Sequence, residues 1–391
     1  MANVNNMEFN QISATLADIA SQATGISVKA PINTGEFVSV AQTALKTGYD
    51  PVINAVSQVL GRTIFAIRPY SRKFKGLFVD ERKYGAHTRK INACDKPFTD
   101  DDGIKSVDGS TNSPFTVDAP KVLQTNFYGQ NVYQKELTIY KNQLDVAFRS
   151  PEEFAEFVSL TTTNVSDMIE QCHENTARAT VANLIGGVIK GANTAQIVHL
   201  LTEYNTETGG SYTATTINAP SVYPAFMKWA YSRIASISSL LTERSMLYHT
   251  NVTNYNIMRH TPMEKQRVYM YAPAKFATES RVLTDTFHPN YIKYADNETV
   301  NFWQSITSPD AISVKPSYLA IDGSITTAAE AVEQENVFAV MMDAEAAGVT
   351  TVNRDVGSIY NPRGQYSNTF WHFTDRYWND FSENAVVFLL D

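Results

Sequence analysis

The stretch YNPRGQYSNTFWHFTDRYWNDFSENAVVFLLD runs from Tyr360 to Asp391 and is the densest aromatic stretch of the 391-residue chain. Eight of the 22 residues from Tyr360 to Phe381 are Phe, Trp or Tyr, against 11% overall. Each such ring removes a large apolar area from water once it is covered. This segment therefore belongs in a core or against another chain, not in a frayed terminus. Asn361-Pro362-Arg363-Gly364 is turn chemistry, with Asn before Pro and Gly closing. It sets Arg363 at a tip, where a carboxylate of another chain is its expected partner. AVVFLL (385–390) reads as a buried strand.

The aromatic strands need something to pack on, and a long helix is the expected support. Ser150-Pro151-Glu152-Glu153 offers an N-cap serine, proline at the first helical position and glutamate three residues on. Phe154, Val158, Thr161, Val165, Met168 and Cys172 follow at alternating four- and three-residue steps, and Phe157 and Ile169 widen the stripe. Gly186-Gly187 are the first strong breakers. The pattern predicts a helix from 151 to about 186, roughly 50 Å long at 1.5 Å per residue.

Upstream, ISATLADIASQATG, GEFVSVAQTALKTG and PVINAVSQVLG read as short amphipathic helices, each stopped by Gly. TIFAIRP follows as a strand, and Arg62 to Lys90 holds nine Lys and Arg against Asp80 and Glu81. Residues 95–120 are rich in Asp, Ser, Gly and Pro, a loop too long for an ordinary connection. KVLQTNFYGQNVYQKELTIY (121–140) then predicts one or two long strands interrupted at Gly129. A polar tip on extended strands describes a projecting arm. Downstream, 205–220 reads as a hinge or strand-and-turn region. A helix with Pro224 in its first turn follows, then strand-like VYMYAP, a short helix AKFATESRV, and strand-like SYLAI and VFAVMM. That mixture is a separate α+β domain over 221–350.

Composition narrows the function by exclusion. The net charge of −8 and pI near 5.5 disfavour a sequence-reading nucleic-acid binder. Cys94 and Cys172 form neither a disulfide framework nor a zinc spacing. No apolar run approaches the ~18 residues needed to span a bilayer. The opening MANVNNMEFNQ lacks a signal-peptide pattern, and no removed propeptide is expected. The expected setting is a reducing cytoplasm. The seven histidines fall in no HExxH, and there is no GxSxG, GxGxxG or GxxxxGK[ST]. Asp100-Asp101-Asp102-Gly103 lacks the alternate spacing and later Glu of a calcium loop. It reads as a solvated tip, or as one side of a salt bridge across a subunit boundary, with Arg82, Lys83, Arg89 and Lys90 supplying the opposite sign. No nucleophile, base and oxyanion site assembles, so neither a catalytic site nor a cofactor or metal is expected. A scaffold with a projecting arm, a long helix and an over-aromatic end points to multi-chain assembly.

The order of elements resembles the major capsid proteins of tailed bacteriophages, the Hong Kong 97 type of fold. It is closest in look to the small short-tailed phages of the picovirus-like and phi-group podoviruses. The likeness rests on VGSIYNPRGQYSNTFWHFTDRYWNDFSENAVVFL, VINAVSQVLGRTIFAIRPYSRKFKG and PEEFAEFVSL. It implies an α+β chain with an N-terminal arm (1–75), an extended β loop (76–140), a spine-helix peripheral domain (141–220), an axial domain (221–350), and C-terminal strands returning to the peripheral domain (351–391). It implies self-assembly as pentamers and hexamers into the icosahedral or prolate head around double-stranded DNA. Scaffolding and portal proteins are implied partners, DNA contact would be weak and non-specific, and no membrane is involved. The protein would reside in the virion after assembly in the host cytoplasm. Expected subunit-interface residues are Arg82, Lys83, Arg89, Asp100, Asp101, Asp102, Arg363, Trp371 and Trp378. Relatives that cross-link Lys to Asn offer no firm parallel: Lys83, Lys90 and Asn361 are present, but nothing places such a pair beside a carboxylate. Two alternatives stay open, an encapsulin-like compartment shell and a phage tail structural protein.

Overall fold

A computed structural model of the chain describes residues 9–48, 51, 52, 55, 73–79, 88–93, 115, 121–191, 193–253, 255–273 and 296–391. It opens with α1 (Phe9–Thr24) and α2 (Thr34–Thr47). Asn33 caps α2, its side chain accepting from the Glu36 N–H at 2.9 Å. The two helices close on α3 (Lys141–Ala147) and on the first turn of α4 (Pro151–Lys190). Leu16, Ile19, Phe37, Leu144, Phe148 and Phe154 form this small core, with Phe37 edge-on to Phe154 and Phe148 stacked on it. The described part of the stretch expected as an arm over 1–75 thus packs on its own chain. The strand expected over TIFAIRP and most of the helix over PVINAVSQVLG lie outside the described residues.

The spine α4 begins as its sequence predicts, with Ser150 Oγ accepting from the Glu153 N–H at 3.2 Å and Pro151 in the first turn. It runs 40 residues, about 60 Å. The stop expected at Gly186-Gly187 does not occur. A Cβ on Gly186 would lie 2.5 Å from Val314 Cγ2, and one on Gly187 would lie 2.3 Å from the Phe381 ring. The two glycines let neighbouring layers approach the helix instead of ending it.

β1 (Thr88–Ala93) and β2 (Val122–Phe127) form an antiparallel hairpin root, and β2 passes through Tyr128-Gly129 into β3 (Gln130–Tyr140). The break falls at Gly129 because a Cβ there would meet Tyr377 O at 2.6 Å. β4 (Ile197–His199), α5 (Leu200–Thr208) and α6 (Tyr223–Leu240) follow. The region 205–220, expected as a hinge or strand-and-turn region, holds the end of α5, closed by left-handed Gly209, and then turns with a short 3-10 helix at Thr216–Asn218 and no strand. Next come β5 (Gln266–Tyr271), β6 (Asp296–Val300), β7 (Ile312–Val314), β8 (Ser317–Leu319), β9 (Ile325–Thr327), β10 (Val332–Gln334) and β11 (Val337–Asp343). The helix expected over AKFATESRV lies outside the described residues. β12 (Ala347–Asn361), β13 (Tyr366–Asn379) and β14 (Ala385–Leu389) complete the order.

Two sheets organise the body. The long one has order β12–β13–β3, all antiparallel, and lies on the spine through Trp371 and Phe373 against Val165 and Ile169. This is the packing expected of the aromatic strands. The other has order β4–β14–β11–β5–β6. β14 links two of the expected domains: inside the five-stranded sheet it pairs with β4, within 141–220, and with β11, within 221–350. Its residues are apolar without alternation because both faces are covered. Val386 and Phe388 face Phe226, Met227 and Ile234 of α6, and Val387 and Leu389 face Val181, Leu184 and Ile185 of the spine.

Candidate assembly surface

The hairpin root has two unlike faces. Lys90 stands opposite Thr125, and Asn92 opposite Leu123. On this inner face Leu123 packs on the spine core. Lys90 Nζ lies 2.7 Å from Asp380 Oδ2 and also contacts Glu383 Oε1. Arg259 donates from Nε to Ser382 O at 2.9 Å and from Nη2 to Asn92 Oδ1 at 2.6 Å, and its Nη2 sits 3.3 Å from Glu383. Burial pushes the Glu383 carboxyl up, and Lys90 and Arg259 hold it back. Burial pulls the Lys90 ammonium down, but Asp380 and Glu383 outweigh it and raise Lys90 above the ordinary lysine range. The sequence offered Lys90 to an acidic loop tip of another subunit; the structure pairs it within its own chain.

The outer face is open. Arg89, Ile91 and Ala93 on β1, and every even-numbered residue from Val122 to Glu136, are exposed. Fourteen steps of extended chain span about 45 Å. Apolar side chains recur along this stripe, with Val122 51%, Tyr128 64% and Val132 69% exposed, and Ile91 at 58% stands beside them. Alternation built this pattern, since odd-numbered residues turn to the body and even-numbered ones away from it. The result is a row of exposed apolar and amide side chains along one face of paired strands.

The remaining expected contacts divide. Arg82, Lys83, Asp100, Asp101 and Asp102 lie outside the described residues. Arg89 is exposed at the hairpin root. Arg363 is exposed on a turn in which Asn361 Oδ1 accepts from the N–H groups of Arg363 and Gly364 at 3.0 and 3.1 Å. Trp378 is half-buried over Gly348, its Nε1 donating to Glu345 O at 3.3 Å. Trp371 is a correction. It is 1% exposed, closed between the spine and the long sheet of its own chain, and so is unavailable to a neighbour. That seam is also polar: His173 Nδ1 lies 2.7 Å from Asp375 Oδ2, which together with Thr351 and Tyr133–Thr176 fixes how β13 and β3 sit on the helix.

Two cavities lie in series along the spine, about 360 and 430 Å³, sharing Asn175 and Arg178. The Arg178 charge is taken up by Glu174 at 2.5–3.0 Å, and its guanidinium lies 3.6 Å over the Phe302 ring. Among the described residues no group of three His, Cys, Asp or Glu could hold a metal ion, and no helix is long and apolar enough to cross a membrane. Cys172 is half-buried, and burial raises its thiol.

The sequence model of the Phi29-like phage major capsid protein family matches residues 14–389. The chain belongs to this family. It is a phage head-shell protein, a structural subunit and not an enzyme, which decides against the compartment and tail alternatives. Among curated proteins none matches the chain in sequence. In fold it is similar to a chain of the capsid of Staphylococcus phage Andhra, with 10% identity, a TM-score of 0.51, and coverage of 83% of this chain and 86% of that one. It is also similar to a chain in the structure of the head fiber and inner core protein gp22 of native bacteriophage P68, with 11% identity, a TM-score of 0.55, and coverage of 82% and 85%. At such identities the likeness concerns fold alone, and it agrees with the mixed helix-and-sheet capsid fold expected from the sequence. The capsid protein works by associating with copies of itself into the capsomers of a shell.

Proposed function

We propose that the shell is closed by rings of five and six copies in which the outer face of each hairpin and the stripe from Val122 to Glu136 lie on the neighbouring subunit. The division into arm (1–75), extended loop (76–140), peripheral domain (141–220 with the strands of 351–391) and axial domain (221–350) is part of this reading, amended by the place of β14. One observation carries it: a ladder whose inner face is fixed to the body and whose outer face exposes Ile91, Val122, Tyr128 and Val132. Burying such residues contributes about 25 cal/mol per Å². Repeated around a closed ring, many modest contacts give a shell able to hold packaged DNA. Charge fixes the register: Arg82, Lys83 and Arg89 meet Asp100, Asp101 and Asp102 across the boundary, and Arg363 and Trp378 contribute from the long sheet. A scaffolding protein and a portal are the further partners, assembly takes place in the host cytoplasm, and an acidic wall contacts DNA weakly.

Deleting 95–120 tests this. The expected product folds, with an unchanged circular dichroism spectrum, but forms neither rings nor shells by electron microscopy. Shells of normal size from the deleted chain would remove the extended loop from assembly.

A further inference from the structure

The turn Asp380–Asn384 joins the two sheets of the body, because β13 of the long sheet ends at Asn379 and β14 of the five-stranded sheet begins at Ala385. Both carboxylates held by Lys90 lie on this turn, Asp380 on the side of β13 and Glu383 on the side of β14. The turn is further organised from within, Asp380 Oδ1 accepting from Ser382 N–H at 2.9 Å and from Ser382 Oγ at 2.6 Å. It is tied to the hairpin a second time by Asn92, which donates to Ser382 Oγ at 3.3 Å and accepts from Arg259. Asn92, Asp380 and Glu383 are each less than 7% exposed.

We infer that this cluster is a clasp in which Lys90 and Asn92 bind the hairpin to the joint between the two sheets, so that the position of the hairpin follows the angle of that joint. Lys90 bridges the two ends of the connecting turn, and a rotation of one sheet against the other moves Asp380 relative to Glu383. Asp380 and Glu383 are buried whereas Lys90 is half-buried, and a buried carboxylate that parts from the ammonium loses compensation for its charge in a low-dielectric site, so the hairpin root moves with the turn. A second mounting lies at Gly129, whose O accepts from Tyr377 N–H at 3.2 Å and over which the Tyr377 ring lies so closely that a Cβ would stand 2.8 Å from it. Lys90, Asn92 and Arg259 are positioning residues for assembly. This rests on the reading that the hairpin contacts the neighbouring subunit, and it adds that each subunit adjusts that contact through its own body.

Hydrogen–deuterium exchange on the unassembled full-length chain tests the clasp. Lys90→Met is expected to speed exchange tenfold or more in the β1–β2 ladder and in residues 380–384 together, with β11 unchanged. Lys90→Arg, which keeps the positive charge between Asp380 and Glu383, is expected to retain most of the protection. Asn92→Ala removes no charge and keeps the test readable if Lys90→Met does not fold; it is expected to speed exchange about threefold in the ladder and in 380–384. An unchanged ladder, a ladder that loosens while 380–384 stays protected, or a rise of equal size in β11 would each overturn the clasp. Shell formation separates the two readings. Faster exchange of ladder and turn with shells of normal diameter keeps the clasp and removes the hairpin from assembly. Unchanged exchange with lost shells sinks the clasp alone.

Discussion

β11 and β14 bury every residue they contain, whereas β2 and the first half of β3 cover only alternate ones. Both regions are paired strands rich in β-branched and aromatic residues. They differ in where their second face is completed. The five-stranded sheet is closed on one side by α6 and on the other by the spine, all within one chain. The hairpin root and the stripe beyond it are closed on one side only, and the apolar side chains left outside are those a second copy would cover. In the proposed assembly the body is complete before it meets a neighbour, and the open face of the hairpin is completed only when it does.

The contrast can be broken most forcefully in the sheet. Phe388 is fully buried between β14 and α6, and Phe388→Ala should cost about 3–5 kcal/mol through lost burial and the cavity left behind. Thermal unfolding of the unassembled chain checks this; a loss below about 1 kcal/mol would mean that the sheet is not the filled core described.

A somewhat smaller effect is set by pH. His249 is fully buried, and its Nε2–H donates to Ile257 O at 2.8 Å. Burial lowers its pKa from 6.5 to about 4. The unfolded chain therefore takes up the proton first, so stability is lost as pH falls from 6.5 and the loss is complete near 4. At about 1.4 kcal/mol per pKa step the total is about 3 kcal/mol. Denaturant titrations across that window should show the decline, and His249→Asn should flatten it. An equal slope in the variant would assign the dependence to other groups.

The smallest effect on stability belongs to the hairpin. Ile91→Gln with Val122→Gln changes two exposed positions and should leave unfolding within about 0.5 kcal/mol of the parent. Shell yield, followed by light scattering, should nevertheless fall sharply. Unchanged yield would show that the open face is not a contact.

What was legible in the sequence was what neighbouring residues decide among themselves. Ser150-Pro151 with Glu153 announces the spine, and Asn361-Pro362-Arg363-Gly364 announces the β12–β13 turn, because caps and turns are settled within four residues. The alternation of 121–140 likewise reveals two faces. What was misread depends on partners far along the chain. Gly186 and Gly187 are breakers by propensity, yet Val314 and Phe381 are the atoms that require them. Lys90 stands in a basic run that invited pairing with Asp100–Asp102, while its actual partner Glu383 lies 293 residues away. Its inward position between exposed Arg89 and Ile91 is the one local hint, and no local rule says what it points at. The aromatic strand of Trp371 was expected on the spine, yet Trp371 itself was also offered to a neighbouring subunit, and β14 was expected as a buried strand without the sheet that takes it in, which is a matter of topology.

The place of β14 also bears on time. Its neighbours are residues 197–199 and 337–343, so the place between β4 and β11 stays vacant on a ribosome-bound chain until residues 385–389 have emerged. Folding of that layer waits on synthesis, and contacts of such long sequence separation form slowly. A growing polypeptide can lay down its N-terminal helices and spine early, yet it cannot offer a finished body to another copy until translation has passed that strand.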